Sequence, residues 1–309
     1  MIGLDKNNKN VKLRFRRLAM IILIIIILFM IGTLSIGNYF YNYALTREGV
    51  EKNMSKLENS EGMPDFDDFK KSLDPEWWNK HNTERISIES FDGLKLSALY
   101  VKNKIETNKI VIFSHGYSAN ASSMILYAPT YYDLGYDIIS VDNRAHGKSE
   151  GNVIGMGYFD SSDMLRWINK AIDIKDDECE IVLHGVSMGA STMCSVSNKD
   201  IEKNVKCIIS DCAYDNAEDI YIHLLKSEYN LPKFPIINAL DIICKFRGNY
   251  FLSNVDITNS VANSKVPILF IHGSEDTFVP VYMGKIYIIR HQRIKDKFIL
   301  LTEQVMQHP

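Results

Sequence analysis

A chain of 309 residues exceeds a minimal domain and fits one large α/β domain with additions. Its 46% hydrophobic and 24% charged residues exclude a disordered or fibrous protein and supply a sizeable core. The net charge of −3 divides into a basic start (six Lys and Arg against Asp5 alone in residues 1–17) and an acidic remainder, which argues against nucleic acid as the main partner.

The basic tail, residues 1–17, runs directly into LAMIILIIIILFMIGTLSIG, residues 18–37, twenty residues without a charge. As a helix this run spans about 30 Å, the thickness of the hydrocarbon layer. Lys6, Lys9, Lys12, Arg14, Arg16 and Arg17 precede it, whereas Arg47, Lys52 and Lys56 beyond it are largely offset by Glu48 and Glu51. The charge bias predicts a single-pass signal anchor in the cell membrane, its N-terminus cytoplasmic and everything after residue 38 extracellular. A cleaved leader, cut after Gly37 behind Ser35, is the alternative. The run exceeds the 7–15 residues expected of a leader's apolar region, which favours the anchor.

Residues 38–82 are polar overall and read as a stalk. Tyr39, Phe40, Tyr41 and Tyr43 suit either an interfacial aromatic belt or packing against the folded domain. Phe66 and Phe69, three apart behind Asp65, predict a short helix over 65–73 that stops before Pro75.

From Glu84 onward the pattern changes. Residues 84–90 and 94–101, joined by Phe91-Asp92-Gly93, read as a hairpin. Strand-like apolar runs follow at 109–115, 137–142, 180–187, 205–212, 266–273 and 297–303, with helical stretches at about 122–134, 160–174, 188–198 and 281–292. Continuous Ile, Val and Leu runs alternating with amphipathic helices predict an α/β domain over 83–309, with a mostly parallel central sheet covered by helices on both faces. Residues 214–262, helical and rich in aromatics, suit a cap inserted between two strands.

Gly185-Val186-Ser187-Met188-Gly189 lies between a strand and a helix of small residues. In that position a G-x-S-x-G turn lifts a serine hydroxyl clear of the sheet, with the positive end of a helix beneath it. A nucleophilic serine needs a base, and the base an orienting acid. Asp276, just past the end of a buried strand, is the candidate acid, with Asp211 as the alternative. His115, His146, His184 and His272 each precede a glycine near a strand end or loop and read as structural. His308, after the last strand, is left as the base by elimination, in the chain order Ser…Asp…His. The backbone N–H groups of Met188 and Tyr117 are the candidate oxyanion donors.

Taken together, His115-Gly116-Tyr117, Asp142 to Ser149 (DNRAHGKS), Gly185 to Gly189 and His272 to Asp276 resemble, in order, the α/β-hydrolase superfamily over roughly 84–309. The best match is to membrane-anchored bacterial serine hydrolases of the prolyl-oligopeptidase-like and serine-aminopeptidase-like groups. The resemblance implies the α/β-hydrolase fold and a catalytic triad of Ser187, Asp276 and His308. Tyr117 and Met188 are implied as oxyanion donors, with the loop from Asp142 shaping the site without acting in it. The expected reaction is cleavage of a small-molecule or peptide ester, thioester or amide through an acyl-enzyme, with no cofactor and no metal. Family members carry the histidine in a small-residue loop followed by a further helix, and residues 302–309 have neither. A truncated or frame-shifted ending, leaving a catalytically inactive surface binding protein, is therefore the alternative expectation. The five cysteines show no CxxC and no finger-like spacing, and read as buried free thiols rather than a disulfide framework or zinc site.

Overall fold

The computed structural model describes residues 2–58, 73–290 and 297–301. Eight strands form one sheet: β1 (Glu84–Glu89), β2 (Lys95–Val101), β3 (Lys109–Ser114), β4 (Asp137–Val141), β5 (Glu180–Val186), β6 (Val205–Asp211), β7 (Ile268–Gly273) and β8 (Lys297–Leu301). They lie side by side in the order β1-β2-β4-β3-β5-β6-β7-β8. The first two pairings, β1 with β2 and β2 with β4, are antiparallel, and all others are parallel. The described parts of the strand pattern expected from the sequence thus assemble into the expected mostly parallel sheet.

The apolar runs are continuous because the sheet buries both faces. Side chains alternate between faces along a strand, and here each face has its own core. Ile110 and Ile112 of β3, Ile139 and Val141 of β4, and Ile181 and Leu183 of β5 enter one core with Met164 and Trp167. Val111, Phe113, Ile138 and Val182 enter the other with Trp77, Trp78 and Met124. Met164 and Trp167 belong to the long helix Asp160–Lys175. The stretch expected as a helix over 122–134 divides into a 3-10 turn, Ala121–Leu126, and a short helix, Ala128–Asp133. Pro129 in the first turn has no N–H to continue the earlier ladder.

The connection order reverses at the centre of the sheet. From β3 the chain moves to β4 on one side, then returns to β5 on the other. The loops after β3 and β5 therefore leave in opposite directions and open a crevice at their carboxyl ends. Residues 214–262, between β6 and β7, carry helices Ala217–Tyr229, Lys233–Ile243 and Ile257–Ala262.

At the start of the chain, the helix α1 spans Ile2–Ala44, and its mean hydropathy reaches 3.0 within Lys12–Ala44. By length and composition it is the one helix among the described residues able to cross a membrane. The described part of the expected stalk is not a free spacer. The helix runs seven residues past Gly37, α2 follows at Arg47–Glu58, and Tyr41, Leu45 and Val50 are buried in the domain core. Thr46 bridges Val153, and the Arg47 N–H donates to the Asn152 carbonyl. Of the two readings of the aromatic cluster, packing against the domain holds for Tyr41, which with Ala44 in the last turn of α1 and Leu45 just beyond it meets the core. Trp77 and Trp78 likewise belong to the second core. The helix expected over 65–73 lies outside the described residues, apart from Leu73.

The loop after β4 is held by buried charge. The Arg144 guanidinium donates to both Asp163 carboxylate oxygens, at 2.7 and 2.8 Å, and to both oxygens of Asp92, at 3.1 and 3.2 Å. The rings of Phe91 and Phe159 lie 5.3 and 4.9 Å from its guanidinium carbon. Burial raises the Asp163 carboxyl to about 6 despite the arginine. Asp142 takes the Ala121 and Lys148 N–H groups and the Arg85 guanidinium. Arg144→Met should cost about 3–5 kcal/mol, because it strands Asp163 in the interior. Chemical denaturation measures this, and a loss below about 1 kcal/mol contradicts a structural role for the cluster.

Candidate active site

The turn after β5 carries Ser187 at φ 52°, ψ −115°, a backbone conformation that side chains other than glycine rarely adopt. Its N–H donates to the Asp211 carbonyl at 2.8 Å, and its carbonyl accepts from the Ser191 N–H of the helix Met188–Val196. Two glycines make this bend sterically possible. A Cβ on Gly185 would fall 2.3 Å from the Gly189 carbonyl oxygen, and one on Gly189 would fall 2.0 Å from the Ser114 carbonyl oxygen. The helix therefore lies directly against the end of β3. Gly116, two residues past β3, has its Cβ direction 3.5 Å from the Ser187 Cβ. Tyr117, Ser187 and Met188 consequently line one cavity at the sheet's crevice.

Asp276 sits in the loop after β7. One of its carboxylate oxygens accepts the N–H groups of Phe278, at 3.0 Å, and Val279, at 2.8 Å. Phe278 and Val279 line the same cavity as Ser187. The other oxygen faces the His272 ring at 3.7 Å, while the Nε2 of that ring contacts the Val279 carbonyl at 2.8 Å. Burial raises the Asp276 carboxyl above its usual range, against the pull of those two amides, His272 and His223. Asp211, the alternative acid, accepts the Tyr127 hydroxyl at 2.7 Å and is also raised by burial. Each carboxylate thus has one oxygen engaged, and what distinguishes Asp276 is that the residues donating to it, Phe278 and Val279, line the cavity with Ser187. His308 lies outside the described residues.

The histidines expected to be structural are interior groups. His115 accepts the Asn143 N–H on Nε2 and donates from Nδ1 to the Gly116 carbonyl, and burial depresses it to about 3. His184, against Tyr131 and Tyr127, is depressed to about 4 by burial. Sequence reading missed two contributors near the serine. Cys212, at φ 50°, has its thiol pushed well up, first by burial and then by the carboxylates of Asp211 and Asp276. The end of α1 also forms a cavity wall through Phe40, Tyr43 and Ala44, and the Tyr117 hydroxyl donates to the Ala44 carbonyl at 2.6 Å. The aromatic cluster was visible in the sequence, but its facing partners were not.

Gly189→Ala should destabilise the protein by about 3 kcal/mol or more, because its neighbour is backbone and cannot rotate away. A thermal melt within about 1 °C of wild type would contradict that packing. The buried rings give a second expectation. Below pH 6.5 the unfolded chain takes up protons that His115 and His184 refuse when folded. Their contribution to stability is therefore complete above 6.5 and falls by about 1.4 kcal/mol per ring and pH unit below it. Asp163 and Asp215, both raised to about 6, act oppositely below pH 6, so the effect is read as a difference between variants. His184→Gln should lose stability less steeply than wild type between pH 6.5 and 4.5 in denaturant titrations, and parallel profiles would refute the assignment.

A family profile describing the alpha/beta hydrolase fold matches residues 109–234. Among known proteins, the uncharacterized YqkD of Bacillus subtilis is 25% identical over 251 residues, covering 81% of this chain and 79% of its own. YfhR of Escherichia coli K12 is 21% identical, covering 67% and 66% respectively. The solved esterase Pf2001 of Pyrococcus furiosus superposes with a TM-score of 0.58 at 22% identity, over 75% of this chain and 86% of that one. The acylaminoacyl peptidase of Pyrococcus horikoshii does so with a TM-score of 0.53 at 19% identity, over 78% of this chain and 39% of that one. With its strand order, its serine-bearing turn after β5 and these likenesses, the chain has the α/β-hydrolase fold.

Proposed function

We propose that this hydrolase-fold protein is a membrane-anchored serine hydrolase that cleaves an ester, thioester or amide through an acyl-enzyme. The observation that carries the reading is the strained backbone of Ser187, held on a strand-to-helix turn at the floor of an apolar cavity. Ser187 Oγ attacks the carbonyl carbon while the base, His308, takes its proton and passes it to the leaving group. Asp276 orients the base and balances the imidazolium. The N–H groups of Tyr117 and Met188 stabilise the oxyanion, and water then releases the acyl group by the reverse proton path. The esterase and peptidase activities named for the solved relatives agree with this chemistry. The apolar α1, behind its basic tail, supports a single-pass anchor with the hydrolase domain outside the cell.

A fluorophosphonate probe should label the full-length protein, and Ser187→Ala should abolish labelling and lower ester turnover by about ten-thousandfold or more. Labelling that persists in the variant assigns the nucleophile elsewhere. Absent labelling in the wild type favours a binding protein without catalysis. Alkaline extraction should leave the chain in the membrane pellet, and a released form beginning at Asn38 would instead mean a cleaved leader.

A further inference from the structure

The cavity above Ser187 has a volume of ≈ 430 Å³, within the range of sites that enclose a small organic ligand. Its walls are aromatic and aliphatic, and Glu228 is the only charged side chain among the described residues that line it. No cation among the described lining residues would receive a substrate carboxylate or phosphate, so the chamber suits a hydrocarbon chain. Part of the wall comes from α1 itself, through Phe40, Tyr43 and Ala44, and part from Ile220, Tyr221 and Leu224 of the helix Ala217–Tyr229, the Tyr221 hydroxyl donating to the Ala44 carbonyl at 3.4 Å.

The position of that wall relates the chamber to the membrane. The uncharged run of α1 ends at Gly37, so Phe40 and Ala44 stand only about 4.5 and 10.5 Å further along the axis. Tyr39 stacks on Tyr43, and both Phe40 and Tyr43 meet the ring of Tyr229 edge-on, forming an aromatic cluster beside the cavity at the height of a membrane interface. The cap helix Lys233–Ile243 packs along α1 at Gly37, where a Cβ would fall 2.8 Å from Ala239. Arg247 fixes the next turn by donating to the side-chain oxygens of Asn38 and Asn42, at 2.6 and 2.7 Å. The cap thereby carries Phe234, 71% exposed, and Phe246, 84% exposed, on segments docked beside the end of the membrane helix, with Lys233 and Lys245 as neighbours. Exposed aromatics among cations are what an interfacial segment requires.

Building on the hydrolase reading above, we infer that the substrate is a long-chain acyl ester lipid of the bilayer. Its acyl chain enters between the last turns of α1 and the cap and lies in the cavity above Ser187. The reaction forms the acyl–serine ester as the lipid alcohol leaves with the proton, and water then releases the fatty acid and restores the hydroxyl.

The test uses the full-length protein in phosphatidylcholine vesicles with 4-methylumbelliferyl oleate and butanoate. Wild type should favour oleate by about tenfold or more in kcat/KM, the scale that added buried methylenes set. Ala44→Trp and Leu224→Trp fill the cavity from two different elements and should each lower the oleate-to-butanoate ratio by about tenfold. Circular dichroism and flotation report whether each variant is folded and anchored, and if neither is, the wild-type ratio decides. A wild type that floats and labels at Ser187 yet prefers butanoate overturns the lipid substrate and leaves the serine hydrolase standing. A folded variant with an unchanged ratio overturns the placement of the acyl chain. A wild type that neither labels nor hydrolyses either ester overturns both.

Discussion

The close approach of Gly189 to the end of β3 is the contact on which the candidate site depends. With the Ser114 carbonyl oxygen 2.0 Å from where a side chain would begin, the helix after β5 can pack against the sheet only with glycine there. That packing forces the chain through a sharp bend and places Ser187 at a positive φ, beside the loop that follows β3. Because the strand order reverses between β3 and β5, the two loops part and leave a crevice. One steric requirement and one topological reversal thus produce a half-buried serine lining a cavity, with a neighbouring backbone turn and room for a ligand.

The first helix belongs to that architecture as much as the sheet does. Its final carbonyls have no partner within the helix, as at every helix end. Here the Ala44 carbonyl receives the Tyr117 hydroxyl, in the same loop that offers a backbone N–H beside Ser187. Tyr41 and Leu45 are buried in the main core, and Arg247, from the segment between β6 and β7, donates to Asn38 and Asn42. An apolar helix that continues without a break into the wall of the cavity is joined to the domain by packing, where a flexible linker would leave the two free of each other.

Electrostatics divide the interior into scaffold and site. Arg144 with Asp163 and Asp92, and Asp142 with its amides, fix the loop after β4 through several hydrogen bonds each. His115 and His184 are held neutral by burial and serve as packing and hydrogen-bonding groups. Asp276 differs from these because its backbone contacts involve one oxygen only. That asymmetry keeps a carboxylate oriented while leaving an acceptor available, which an orienting acid requires.

Much of this was legible in the chain itself. Runs such as IVIF in β3 and IVLHGV in β5 announce strands buried on both faces, since only a sheet covered twice makes every position apolar. The G-x-S-x-G spacing announced the bend, because its steric demand is local and independent of the rest of the fold. For residues 38–58 the sequence left interfacial belt and packing against the domain both open, because a polar average cannot reveal which face of a helix meets a partner distant in sequence. Asp276 and Asp211 were likewise indistinguishable as sequence, each an aspartate at a strand end, and their different partners, two backbone amides of a cavity-lining loop against the Tyr127 hydroxyl, exist only in the fold. Periodicity and close-range sterics act between near neighbours and are therefore written in the sequence. Which surfaces finally face one another, α1 against the helices between β6 and β7 and both around the cavity with Ser187, depends on contacts between distant segments, and those exist only once the chain has folded.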